Sequence, residues 1–224
     1  MAELAYRSLV YAHLLLFVLW LGGDVGVFVL GQHFRKRHAY SLDQRLALLT
    51  LLVAVDMGPR TAWALMVPLS LSLAIGGGWI DLPGWLVLAA WIVGLGWLWL
   101  VWDSHLHDQT PRAARNRWIE GWIKLTITAF YLGLGTVSLV TGSPIAIPWL
   151  AWKALLFGMI FVAAMLIDRA FKPVGPQLGR LIAQGSSDET EIPLRRTMDR
   201  TRIFVLMVYA LLFVTAWLGV VKPS

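Results

Sequence analysis

The chain contains no cysteine. Disulfides, thiolate metal sites and cysteine-ligated iron–sulfur clusters are therefore excluded. Charge is also scarce. Asp, Glu, Lys and Arg make up 14% of the 224 residues, against roughly a quarter in an ordinary soluble domain. Acids are scarcer than bases, 13 against 19, which leaves a net charge of +6. What fills the chain instead is apolar: 58% of residues are hydrophobic, 13 are Trp, and the mean hydropathy is +0.68. These proportions exclude a soluble globular domain and require an integral membrane protein.

A bilayer core of ~30 Å needs about 20 apolar residues per helix. Six runs meet that need: Arg7 to Gly31, a run within Leu42 to Ile75, Pro83 to Trp102, Trp118 to Thr141, Pro148 to Ile167, and Ile203 to Val221. The expected fold is an all-α, polytopic membrane bundle of about six transmembrane helices, with residues 1–224 as one domain. The first run is too long and too charged for a signal peptide, and no small-residue cleavage site follows it. The second, as a single helix, is about 50 Å long at 1.5 Å per residue. It is expected to tilt, to kink at Pro59 or to project from the bilayer.

The cations sort sharply along this pattern. Fourteen of the 19 Lys and Arg residues fall in the connections between runs one and two, three and four, and five and six. The two opposite connections, around Gly76–Gly84 and Thr141–Ile145, have none, and only Arg7 and Lys222 lie near that side. The positive-inside rule then puts the basic side in the cytoplasm and both termini on the non-cytoplasmic side of a bacterial inner membrane. The surplus charge is thereby a topology signal, and nucleic acid is not an expected partner. Residues 169–202 are expected to form a cytoplasmic basic loop. It can hold two short amphipathic pieces split near Gly185–Glu189, although a solvated linker is the simpler reading.

Subtracting the loops isolates Arg60, Lys124 and Lys153 as cations within the runs, with Asp24, Asp56 and Glu120 as acids and His13 as the one deeply placed histidine. Ionisable groups in hydrocarbon are costly unless paired, so each is a functional candidate. Glu120 and Lys124 are i, i+4 in the favourable order, Asp56 and Arg60 share that spacing, and Asp24 can neutralise Arg60 from a neighbouring helix. Ion pairing is the leading reading of that group, with a proton or ion path as the alternative. His13 and Lys153 enter from the same side and should lie at similar depth. Gly22, Gly23 and Gly26 thin the first helix, either for close helix contact or for a ligand.

Imidazole is the commonest protein ligand of haem iron. Tyr11, Phe17 and Trp20 flank His13 and can cover a porphyrin. Trp79, Trp85, Trp102, Trp118 and Trp149 lie near run ends, as an interfacial belt does; Trp91, Trp97 and Trp99 do not. Asp103, His105, His107 and Asp108 gather two imidazoles and two carboxylates that can hold a divalent ion, on an exposed loop and at unspecific spacing.

The first run reads His13, Trp20, Gly22-Gly23; the fifth begins Pro148-Trp149-Leu150-Ala151-Trp152-Lys153; the last closes Val220-Val221-Lys222-Pro223. Together these resemble the HemJ-type membrane protoporphyrinogen oxidases and the related CopD-like membrane proteins. The resemblance implies a haem b-binding protein whose key residues are His13 and Lys153. The implied reaction is oxidation of protoporphyrinogen IX, with electrons passed toward the respiratory chain.

The expected function is a haem b-binding redox protein. His13 is its haem-iron ligand, His13, Lys153 and Trp20 are the cofactor contacts, and Lys153, Asp24 and Arg60 are the candidate catalytic groups. The expected partners are the lipid bilayer, a haem or porphyrin, a respiratory-chain or quinone partner, and a second copy in a homo-oligomer. The rival classes are a small ion or copper-type metal transporter using the polar track, and a non-catalytic membrane subunit that docks through its basic loop.

Overall fold

The computed structural model describes residues 2–223. Seven helices follow one another: α1 (Ala2–Phe34), α2 (Leu42–Gly76), α3 (Trp85–Leu106), α4 (Pro111–Thr141), α5 (Pro148–Phe171), α6 (Val174–Gln184) and α7 (Asp188–Val221). There is no strand among the described residues. All but α6 contribute a stretch long and apolar enough to cross a membrane, which makes six spans. Each of α1 to α4 packs on the next helix, and α7 closes the bundle against α5.

Local chemistry sets the helix ends. Ser41 and Gln44 form a capping box at the start of α2, with Ser41 Oγ accepting from the Gln44 N–H and Gln44 Oε1 accepting from the Ser41 N–H. Thr110 caps α4, and Pro111 and Pro148 occupy first-turn positions where no N–H is needed. Gly142 ends α4 at φ +71°, a conformation that favours glycine. The helices outrun the apolar stretches: α4 starts seven residues before Trp118, and α7 starts fifteen before Ile203. Helix α2 continues through Pro59 and Pro68.

Small residues set the helix spacing. A Cβ on Gly135 would lie 2.5 Å from the backbone N of Leu155, so α4 and α5 meet backbone to backbone. Between apolar helices in lipid, such approach maximises dispersion contacts where no hydrophobic gain is available. Gly23 does the same for α1 and α2: its Cβ would lie 2.6 Å from the ring of Pro59. The thin stretch of α1 thus receives a proline ring at Gly23, while nothing lies within 4 Å of a Cβ on Gly22.

Residues 169–202, which the sequence favours as a solvated linker, are mostly helical. They carry the end of α5, all of α6 and the first turns of α7. The break between the two pieces falls at Gly185–Ser187, where the sequence places it. Helix α6 is docked: Val174 and Leu181 join Phe34 and Leu194 in a small second core. Beside it lies Arg45, 1% exposed, whose guanidinium donates to both carboxylate oxygens of Glu191 at 2.5 and 2.9 Å and to the Phe34 carbonyl at 2.6 Å. The amphipathic character of α6 requires such a partner face.

Candidate functional site

One cavity dominates the end of the bundle that carries the chain termini. Its volume is about 390 Å³, and α1, α2, α4, α5 and α7 all line it. That size falls within the roughly 300–1,000 Å³ of small-molecule sites. Helix α1 supplies one stripe: Tyr6, Val10, His13, Phe17 and Trp20, alternating four and three residues apart and so stacked on one face. Helix α5 contributes Trp149, Lys153 and Phe157 at i, i+4 spacing, and α7 contributes Leu212, Thr215 and Gly219. Ser70 and Tyr131 add a hydroxyl pair, 3.0 Å apart, on the far wall. The rest of the lining is largely aliphatic and aromatic.

The two residues placed at similar depth by sequence, His13 and Lys153, line this same cavity, together with Trp20 and Phe17. His13 Nδ1 is buried and has no hydrogen-bond partner among the described residues. An imidazole nitrogen left unengaged on an apolar wall is an available ligand atom. Lys153 makes no ion pair among the described residues. Its ammonium rests against α7, where a Cβ on Gly219 would lie 2.5 Å from Nζ. Gly219 therefore makes the space that Lys153 occupies.

Two further residues at this end were not singled out as site residues from sequence. Tyr6 lines the cavity, and its buried hydroxyl lacks a hydrogen-bond partner among the described residues. Lys222 holds its ammonium 4.8 Å from the Trp79 ring centroid and 5.7 Å from that of Trp149. These two indoles, expected as part of an interfacial belt, also line the cavity. The repeat of Tyr6, Val10, His13, Phe17 and Trp20 was the available signal for Tyr6. Tyr11, by contrast, is 69% exposed and stands off the stripe.

Asp24 and Arg60 lie outside this cavity. Asp24 continues the His13 stripe, but the Gly23–Pro59 contact joins α1 to α2 beside it. Its side chain makes no ion pair among the described residues, and its carbonyl accepts from the Tyr209 hydroxyl at 2.7 Å. Arg60 is paired with Asp56 at 2.5 Å, as their spacing suggests, and the expected Asp24–Arg60 pairing is not formed.

Toward the opposite, basic end the charges buried within the spans are paired with one another. Lys124 bridges Glu120 at 3.0 Å and Asp168 of α5 at 2.9 Å, and the Trp97 indole N–H donates to Glu120. Sequence spacing gave the first contact; Asp168, one residue past the fifth run, is not among the residues that the sequence singled out. The Asp103–Asp108 cluster is likewise engaged. Asp103 is gripped by Arg112 and Asn116, and Asp108 by Arg117. No group of three or more His, Asp or Glu side chains is arranged to hold a metal ion among the described residues. Trp97, fully buried, and Trp91, which donates to Ser72 Oγ, act within the bundle instead of at its interface.

Compared with protein-family models, curated proteins and solved structures, the chain matches none.

Proposed function

We propose that the chain is a membrane-embedded haem b protein with a redox role. The observation that carries this reading is the unengaged Nδ1 of His13 on the wall of a large, mostly apolar cavity. The residues present suit the group. His13 would ligate iron, Phe17 and Trp20 would cover a porphyrin face, and Lys153 would meet a carboxylate or serve as a second ligand when neutral. Bound haem would supply one-electron chemistry at a potential tuned by these neighbours. The chain's own part is to exclude water through its aromatic walls and to hold Lys153 on Gly219. Oxidation of a porphyrinogen, with electrons leaving to a quinone or the respiratory chain, is the reaction this reading favours.

The test is an absorbance spectrum of the pure protein, as isolated and after haem is added. A b-type Soret band is expected, and it should be lost in His13→Ala. A preparation that stays colourless after reconstitution overturns the reading.

The same reading places the basic end in the cytoplasm and the cavity toward the outer face of a bacterial inner membrane. The absence of native cysteine makes this simple to check. Ser143→Cys should react with a membrane-impermeant maleimide in intact spheroplasts, and Arg115→Cys should not; the reverse result inverts the topology.

A second reading, a small ion or metal transporter, rests on Asp24, which has no ionic partner among the described residues. It predicts proton or metal flux in proteoliposomes that Asp24→Asn abolishes. Absence of any flux removes it.

A further inference from the structure

A second cavity, of about 340 Å³, lies at the basic end and is lined by Arg35, Lys36, Arg37, His38, Ala39 and Arg195. Four of its six residues are permanent cations. Among the described residues two acids are paired with them: Asp199 with Arg35, and Asp188 with Arg37 at 2.6 Å. Lys36 and Arg195 have no ionic partner among the described residues. The side chain of Arg35 is 11% exposed, and its buried Nε lacks any hydrogen-bond partner. Its Nη1 donates to Gln32 and its Nη2 to Asp199, so Arg35 is held in place and contributes its charge to the site.

Position narrows the acceptor. The apolar run of α1 ends at Gly31, and Arg35 stands four residues on, roughly 6 Å along the axis. The pocket is therefore at headgroup level, just beyond the hydrocarbon. The helix face leading to it is open and oily: Val18, Val25 and Val29 of α1 are exposed in the bundle and so available to acyl chains. A ligand with a phosphate at one end and acyl chains at the other satisfies both halves. Arginine forks bind phosphate oxygens through paired N–H donors, and Arg195, which has no ionic partner among the described residues, can supply such a fork, with Lys36 as a second cation.

We propose that this pocket binds the phosphate of an anionic phospholipid headgroup from the leaflet on the basic side. The site is separate from the His13 cavity and holds whether or not haem is bound. Its function is to fix the α1–α2 connection to the first turns of α7, because Arg195 belongs to α7 and the other five lining residues to that connection.

The full chain in a neutral detergent is titrated with phosphatidylglycerol or phosphatidylcholine and followed by native mass spectrometry. Preferential retention of one phosphatidylglycerol is expected. In the double variant Lys36→Gln/Arg195→Gln, which breaks no ion pair, affinity should fall about 25-fold, about fivefold per cation. Arg180→Gln, on α6 and outside the pocket, should leave it unchanged. Inorganic phosphate at equal concentration should not displace the lipid. Equal retention of both lipids, an unaffected double variant, or an equal loss in Arg180→Gln overturns the proposal. Displacement by inorganic phosphate overturns the lipid assignment in favour of a soluble phosphate ligand.

Discussion

The two ends of the bundle treat buried charge in opposite ways. Toward the basic end Arg45, Glu120 and Lys124 are each 7% exposed or less, and each has a carboxylate or cation within 3.0 Å. At the termini end His13 Nδ1 and the Tyr6 hydroxyl are buried without partners, and Lys153 has no counter-ion among the described residues. Paired charges hold helices in register, and breaking such a pair leaves a buried charge uncompensated. Unpaired polar atoms stabilise nothing in the chain itself, so their retention in a cavity points to a ligand.

The comparison is broken most directly at Arg45. Arg45→Ala should cost about 3–5 kcal/mol in reversible unfolding, because Glu191 remains buried without its cation. The double variant Arg45→Met/Glu191→Leu should recover most of that loss, since two apolar side chains can replace a buried pair. If Arg45→Ala is neutral, the small core around α6 is not held by this pair. Lys124→Ala should cost about 3 kcal/mol for the same reason, with Glu120 left buried without its cation.

A smaller loss is expected from Gly135→Ala, about 1–3 kcal/mol, as α4 and α5 are forced apart at Leu155. A thermal melt reads it, and the loss should be insensitive to added haem. At the other end the sign changes. Lys153→Met should leave stability within about 1 kcal/mol or raise it, because an unpaired ammonium is removed from an apolar site. The same variant should alter the haem spectrum or its affinity. A large destabilisation by Lys153→Met would make Lys153 a structural residue and erase the contrast between the ends.

The spans were legible because a bilayer forces a simple rule: each crossing needs its own uninterrupted apolar run. The six runs and the six spanning helices agree to within a few residues wherever the run itself sets the end. The extensions of α4 and α7 were not legible, since polar helix beyond the membrane obeys no such rule. The pairs Glu120–Lys124 and Asp56–Arg60 could be read from spacing within one helix. Lys124–Asp168 and Arg45–Glu191 could not, because their partners are 44 and 146 residues apart in the chain.

The candidate site divides in the same way. Depth counting brought His13 and Lys153 to one level, and the cavity contains both. Depth gives no azimuth, however. It could not separate Trp20, which faces the cavity, from Tyr11, which faces outward, nor assign Asp24 to the closed side of the Gly23–Pro59 contact.

The sequence by itself determined that this is a six-span helical membrane protein with its cations gathered at one end, because hydropathy and charge act along the chain. Only the tertiary structure decided which polar groups are spent on one another and which are left free, because that depends on how helices rotate and how closely they approach. Gly135 against Leu155 and Gly219 against Lys153 set those rotations and spacings. They leave an open cavity around His13 and a closed charge network around Lys124.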